Sequence, residues 1–329
     1  MITKKENLLE TIRCGHPDRF VNQFEPFYIG RKNPFTRTNK SPKAGELNIV
    51  NAWGVTRSWP VGNPGPFPVH DEAHTVCRDI EHWRSDVKAP NVVFPAEQWA
   101  PFQKEWAQVD QNEYFLTAFI APGLFEQCHY LLEMQNFLTA FYEEPEALHE
   151  LIDYLKDWEM QYAEQLCTYM KPTALFHHDD WGSQLSTFIA PAMFEEFFLP
   201  AYREIYGCYK AHGVEVIVHH SDSYAATLVP DMIEMGVDIW QGVMTSNDIP
   251  ALIEKYGGQI TFMGGIESAS VDYGGWTRER VAEVVSNACR TFGRKAYIPN
   301  TTMGGASSIF PGVYEAVSAE IDKMSAAMF

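Results

Sequence analysis

Positive charge is scarce in this sequence. Its 329 residues carry 25 Lys and Arg against 43 Asp and Glu, a formal net charge of -18. A field of that sign repels phosphate backbones and acidic lipid surfaces, so nucleic acid and membrane are excluded as partners. Long apolar runs are also missing. Nothing approaches the ~20 uninterrupted apolar residues of a membrane span, and the opening MITKKENLLETIRCGHPDRF has no secretory apolar core. The expectation is a cytoplasmic protein.

Paired cysteines are absent as well. Cys14, Cys77, Cys128, Cys167, Cys208 and Cys289 include no C-x-x-C pair, and the last four fall in segments that read as helices. That spacing argues against a disulfide framework and against a zinc site built from cysteine alone. There is no Gly-x-Gly-x-x-Gly after a strand, no phosphate loop and no low-complexity tract; Gly264-Gly265 alone is a weak phosphate signal.

What is present is apolar and aromatic. Hydrophobic residues make up 46% of the chain and charged ones 21%, which supports a large core and excludes disorder. Aromatics reach 14%, enough to fill a core and also to wall a pocket for a flat ligand.

The segment up to about Gln111 is irregular and rich in Pro, Gly, Asn and Trp. It predicts a short helix near Glu6–Ile12, one strand around Leu47–Val55, and a long loop over Pro60–His70. A loop of that length inside a compact domain reads as a lid. From Glu113 onward, short apolar runs alternate with helical periodicity. Strands are expected at Tyr114–Ile120, Ala174–Asp179, Val214–His219, Val237–Gln241, Ile260–Met263 and Ala296–Ile298. Helices are expected between them, among them a long one from Gly123 to about Met170, broken near Glu144–Pro145. Such alternation marks parallel βαβ units. With the early strand the count reaches about eight, which predicts a (β/α)8 TIM-type barrel over residues 1–329. Residues 1–111 then form an N-terminal extension with the first strand and the lid. A doubly wound open sheet is the fallback.

In such barrels the chemistry lies where strands run into the following loops. Those points read His177-His178-Asp179-Asp180-Trp181, His219-His220-Ser221-Asp222, Trp240-Gln241, Gly264-Gly265-Ile266-Glu267 and Pro299-Asn300-Thr301. Polar side chains thus collect at one end of every late strand. Strand alternation forbids both members of each His pair from facing inward. His178 with Asp180, and His220 with Asp222, are assigned to the inner face as catalytic candidates. A His beside a carboxylate serves as an oriented acid–base pair or as half of a metal site; the competing reading is a hydrogen-bonded loop or cap residue. Asp222 could also cap the helix at Tyr224. Gln241, Glu267, Asn300, Trp181 and Trp53 are candidate substrate contacts. His82, His129, His149 and His212 sit in helical or loop contexts and read as surface or core residues.

The runs HHSDSYAATLVPDMIEMGVDIWQGV, ITFMGGIE and YIPNTTMGG, with HDDWGSQ and FFLPAYREI before them, resemble the uroporphyrinogen decarboxylase superfamily. The resemblance covers the chain from about Ala174 onward and implies the barrel. Two departures bear on function. The porphyrin decarboxylases carry an N-terminal arginine-rich motif that grips substrate carboxylates; here Arg13, Arg19 and Arg31 stand in other settings. Thiol-methylating members hold zinc through His-x-Cys and a later Cys; this chain has His220-Ser221-Asp222 and Asn300 instead. A soft, sulfur-rich site is therefore absent. A harder site at His220 and Asp222, with zinc as the candidate ion, or no metal at all, fits what remains.

The branch most resembled contains the methyltransferases of O-demethylase systems. The resemblance implies transfer of a methyl group from a small methylated donor, a methoxylated aromatic above all, to cob(I)alamin on a partner corrinoid protein. Trp53, Trp59 and Phe67 would suit a planar donor. The alternative it implies is a uroporphyrinogen-type decarboxylase acting on a tetrapyrrole or another carboxylate. Self-association into a homo-oligomer is left open.

Overall fold

The computed structural model describes residues 1–329. Seven parallel strands form one curled sheet. The first, β1 (Phe27–Gly30), comes from the N-terminal segment. Three short strands follow outside that sheet: β2 (Ile49–Val50), β3 (Thr56–Ser58) and β4 (Phe67–Pro68), an antiparallel trio. The main sheet resumes with β5 (Phe115–Ile120), β6 (Ala174–His178), β7 (Val216–His220), β8 (Ile239–Val243), β9 (Thr261–Ile266) and β10 (Tyr297–Thr301). Its order is β1-β5-β6-β7-β8-β9-β10.

Two expectations change here. A closed eight-stranded barrel is not formed: β10 and β1 are the outer strands of the order and do not pair. The segment around Leu47–Val55 is not a strand of that sheet either. Ile49–Val50 pairs antiparallel with Thr56 and Arg57, because a tight turn at Asn51–Gly54 folds the chain straight back. The first barrel strand is Phe27–Gly30, whose four residues pair with Phe115–Ala118. The segment Pro60–His70, expected as a lid, is the loop leading into β4, with only Phe67–Pro68 in the antiparallel trio.

Strand alternation divides the core in two. Phe27, Phe115, Ala174, Phe176, Val216, Val218, Ile239, Met263 and Ile298 share one cluster on the concave face, plugged by Leu8, Val21 and Phe24. The residues between them face the helices and join a cluster of 71 buried residues. Covering both faces explains why these strands are continuously apolar. The break near Glu144–Pro145 also appears: helices cover Leu124–Leu132, Met134–Glu143 and Pro145–Tyr169. Cys128, Cys167, Cys208 and Cys289 lie in helices, and all six cysteines are free. No helix is long and apolar enough to cross a membrane.

Candidate functional site

The period of two that sends Phe176 and Val218 inward carries on to the strand ends. His178 follows Phe176 on the concave face, and His220 follows Val218. Their rings lie 4.3 Å apart between centroids. His177 and His219, of opposite parity, turn into the helix layer. There His177 Nε2 meets Glu159 at 2.8 Å, while Tyr206 Oη lies 2.8 Å from His219 Nδ1. Both are wholly buried and belong to the scaffold.

His178, Asp180 and His220 bring one ligand atom each within 4.8 Å of one another. Their outer contacts fix which atoms those are. Gln241 donates its amide to Asn300 Oδ1 at 2.8 Å and to the Met303 carbonyl at 3.1 Å. Its oxygen therefore turns to His220, whose Nδ1–H must donate to it. The Nε2 lone pair is left for the cavity, 3.7 Å from Asp180 Oδ1. His178 Nδ1 lies 2.9 Å from Glu126 Oε2, again leaving Nε2.

Glu126 owes its position to Asp179. The Asp179 carboxylate accepts from the backbone N–H of Phe125 and Glu126, at 3.0 and 2.8 Å, capping the start of the Leu124–Leu132 helix. It also accepts from Trp181 Nε1 and Tyr202 Oη. Burial, reinforced by the neighbouring Glu126, raises the Asp179 carboxyl to about 7.

The protonation states of the site diverge. Burial would lower His178, but Glu126, Asp180 and Asp222 together hold it up at about 10. Burial and the His178 charge push His220 down to about 4, so it is neutral at pH 7. Asp222 opens onto the cavity; the protein around it and the adjacent Asp180 raise its carboxyl to about 8. Two imidazoles thus stand among three carboxylates, and the surplus of acid calls for a proton or a metal cation between them.

These residues line one open cavity of about 1200 Å³. Trp53, Trp59 and Phe67 line it from the antiparallel trio, as do Phe119 from β5 and Tyr130 from the Leu124–Leu132 helix. At the site itself, Gly304 leaves room that a side chain would fill. A Cβ there would stand 3.0 Å from His220 Nε2 and 3.2 Å from His178 Cδ2.

The other expected site residues are placed differently. Asp222 is on the cavity wall, and its N–H donates to Asp180 Oδ1 at 3.0 Å, but it stands outside the tight cluster of three. It caps no helix: Asn247 Oδ1 takes the N–H of Ala225 and Ala226 instead. Gln241 and Asn300 lie behind His220 rather than on the cavity wall. Trp181 is buried, stacked on His219 at 3.8 Å between centroids. Glu267 accepts from Thr245 N and Oγ1, pinning the loop after β8. Nor do Gly264-Gly265 meet the cavity; a Cβ on Gly264 would strike the Val243 backbone at 2.5 Å, so the pair serves strand packing.

Glu126, Tyr130 and Arg57 are cavity residues that sequence reasoning passed over, and Arg31, which it set aside as no counterpart of the arginine motif, lines the cavity too. Only Glu126 left a trace, as the sole acid in the apolar helix LFEQCHYLL.

Comparison with known proteins agrees with this architecture. The profile of the family described as Uroporphyrinogen decarboxylase (URO-D) matches residues 111–321. No curated protein matches significantly. Among solved structures, a methyltransferase from Methanosarcina mazei superposes with a TM-score of 0.66 at 14% identity, covering 98% of this chain and 99% of that one. Identity that low speaks for the fold alone. With the family profile spanning most of the chain, and the strand-end residues converging on one cavity, the chain belongs to the uroporphyrinogen decarboxylase family.

Proposed function

We propose that this protein is a methyltransferase that takes a methyl group from a small methylated donor, with methoxylated aromatics as the favoured class, and passes it to cob(I)alamin on a partner corrinoid protein. The observation that carries this reading is the placement of His178, Asp180 and His220 on an aromatic-lined cavity. The likeness to a protein named a methyltransferase, over the full length of both chains, supports it.

The chemistry sets the demands. Cob(I)alamin supplies a strong nucleophile, so the methyl–oxygen bond breaks and the oxygen departs with the electron pair, needing positive charge or a proton. His178 meets that demand: it is held cationic, and with Nδ1 committed to Glu126 its Nε2–H is free for the departing oxygen. His220 offers a neutral Nε2 beside it, locked by Gln241. Trp53, Trp59 and Phe67 add apolar wall against which a planar donor can pack.

As the alternative source of positive charge, with His178 deprotonated at Nε2 instead of cationic, the same three side chains fit a zinc ion. Two imidazole nitrogens and one carboxylate, each oriented by a further hydrogen bond, are the donor set of an open mononuclear site. When bound, zinc would supply a Lewis acid for the departing oxygen. The ligands would be His178, Asp180 and His220, rather than the His220 and Asp222 pair expected from sequence.

A second reading, decarboxylation of a tetrapyrrole or other carboxylate, draws support from Arg31 and Arg57 on the cavity wall. One assay separates the two. The protein is mixed with a reduced corrinoid protein and methoxylated aromatics, and separately with uroporphyrinogen and no corrinoid, and corrinoid absorbance and CO₂ are followed in both. Methylation of the corrinoid without CO₂ supports the methyltransferase. CO₂ release that needs no corrinoid supports the decarboxylase.

A further inference from the structure

Charge is unevenly spread along this acidic chain. Residues 31–70 hold six Lys and Arg against one acid, Glu46, a local net charge of +5 that leaves -23 on the rest. They lie outside the stretch that the family profile matches. The fold sets this segment at the cavity mouth, because it leaves the sheet at the C-terminal end of β1. Thr36, Asn39 and Ser41 line the cavity, whereas Lys32, Arg37, Lys40 and Lys43 are exposed and stand off its wall. The other side of the mouth has the opposite sign. Residues 179–190, 221–228, 244–248 and 267–277, which follow β6 to β9, bring Asp180, Asp222, Asp248 and Glu267 to the surface and contain no Lys or Arg. Residues 302–312, after β10, carry no charge.

Elsewhere the cations find carboxylates: Lys5 pairs with Glu215, Arg84 with Glu150, Arg203 with Glu234 and Lys323 with Glu320. Lys32, Arg37, Lys40 and Lys43 pair with none, and Arg37 lies over the Phe102 ring, 4.7 Å from its centroid. Apolar surface adjoins them. Leu47, Val50 and Val61 are 58%, 53% and 85% exposed. The Gly45 N–H donates to the Trp59 carbonyl at 2.6 Å and the Ala52 N–H to Asn39 Oδ1 at 3.0 Å, which ties residues 39–47 to the antiparallel trio as one surface. A polyanion would use the cations and leave three aliphatic side chains in water. A protein face uses both, since protein contacts join an apolar centre to a charged margin.

We propose that this surface, Lys32, Arg37, Lys40 and Lys43 with Leu47, Val50 and Val61, docks an acidic face of the partner corrinoid protein and fixes which way round that partner sits on the cavity mouth. The inference rests on reading this chain as the methyltransferase of such a pair. A mouth that is positive on one side and negative on the other attracts an acidic face at the first and repels it at the second. The orientation is thus set before any close contact forms. The same polarity lets a chain of net charge -18 receive an acidic partner, because the attraction is local.

The test is docking without any methyl donor, followed by surface plasmon resonance with a cobalamin-loaded corrinoid protein of an O-demethylase system as the probe. Combining Lys32→Glu, Lys40→Glu and Lys43→Glu should slow association at least about tenfold at low salt, and the difference from wild type should shrink as salt rises. The corresponding Gln substitutions should fall in between, which separates charge from misfolding. Lys171→Glu, Lys255→Glu and Lys295→Glu, at exposed positions ahead of β6, β9 and β10, change the net charge equally at the opposite end of the sheet. That control should stay within about threefold of wild type. Carbodiimide coupling should join Lys32, Lys40 or Lys43 to carboxylates of the probe. The proposal is overturned if the probe does not bind, if the first set associates at the wild-type rate, if the control slows as much, or if coupling falls on other lysines. Duplex DNA that binds wild type and is lost from the first set would assign the surface to nucleic acid instead. Docking as expected without methyl transfer sinks the reaction and leaves the surface standing. Methyl transfer at the wild-type rate by the first set, with the probe below saturation, sinks the surface alone.

Discussion

Glu126 Oε2 lies 2.9 Å from His178 Nδ1, and this contact joins a helix of the outer layer to the ring on the concave face. Asp179, the residue after that histidine, caps the same helix. Strand end and helix start therefore hold each other. The carboxylate fixes both the orientation of the imidazole and its charge.

Glu126→Gln keeps a hydrogen-bond acceptor but removes the charge. Methyl transfer should fall by roughly 10- to 100-fold, as for loss of an outer carboxylate on a functional histidine. The pH profile gives the more specific readout. Since Glu126 raises the His178 pKa, the high-pH decline in activity should move to lower pH in the variant. A rate loss with an unshifted profile would reduce Glu126 to packing.

Gly304→Ala tests the closeness of the 303–305 segment to the two imidazoles. The added methyl would press on His220 and His178 at 3.0 and 3.2 Å. Activity should drop at least about tenfold with little change in melting temperature, because the contact is with the cavity face and not the main core. Unchanged kinetics would show that the segment yields freely.

Zinc provides a separate check. After zinc loading and desalting, metal analysis should find about one ion per chain, and Asp180→Asn or His178→Ala should lose it. Retention of zinc in both variants would remove the three-residue site.

His129, which does not itself line the cavity, gives a stability prediction. Burial, with the nearby His70, lowers its pKa to about 3, and its Nδ1 has no partner. The folded-state value lies below the ordinary 6.5, so folding favours the neutral ring. Stability is complete above about pH 6.5 and falls as pH drops towards 3, by up to about 1.4 kcal/mol per pH unit from this group. His129→Phe, placed among Phe125, Tyr130 and Phe137, should flatten that slope in urea titrations at pH 7 and pH 5. Identical slopes would contradict the assignment.

How far this site was legible in the sequence differs residue by residue. β6 to β9 are short apolar runs buried on both faces, so their positions, and the inward parity of His178 and His220, could be read directly. β1 could not: FYIG is four residues long, and its strand character comes from pairing with β5. Ile49-Val50 looked equally strand-like but was claimed by a local hairpin. The missing closure between β10 and β1 had no signal at all, since a strand count says nothing about pairing at the edges. Arg31, Arg57 and Tyr130 became site residues only through tertiary placement. Glu267 and Trp181 stand near strand ends, yet hydrogen bonds and stacking turn them into the scaffold.

The central claim is that His220, with His178 and Asp180, forms the reacting end of the cavity. Its most direct test is the rate of corrinoid methylation by His220→Ala beside wild type, with circular dichroism confirming the fold. The account predicts loss of at least about a thousandfold, from removal of a group that acts in the transition state. Methylation near the wild-type rate would contradict it.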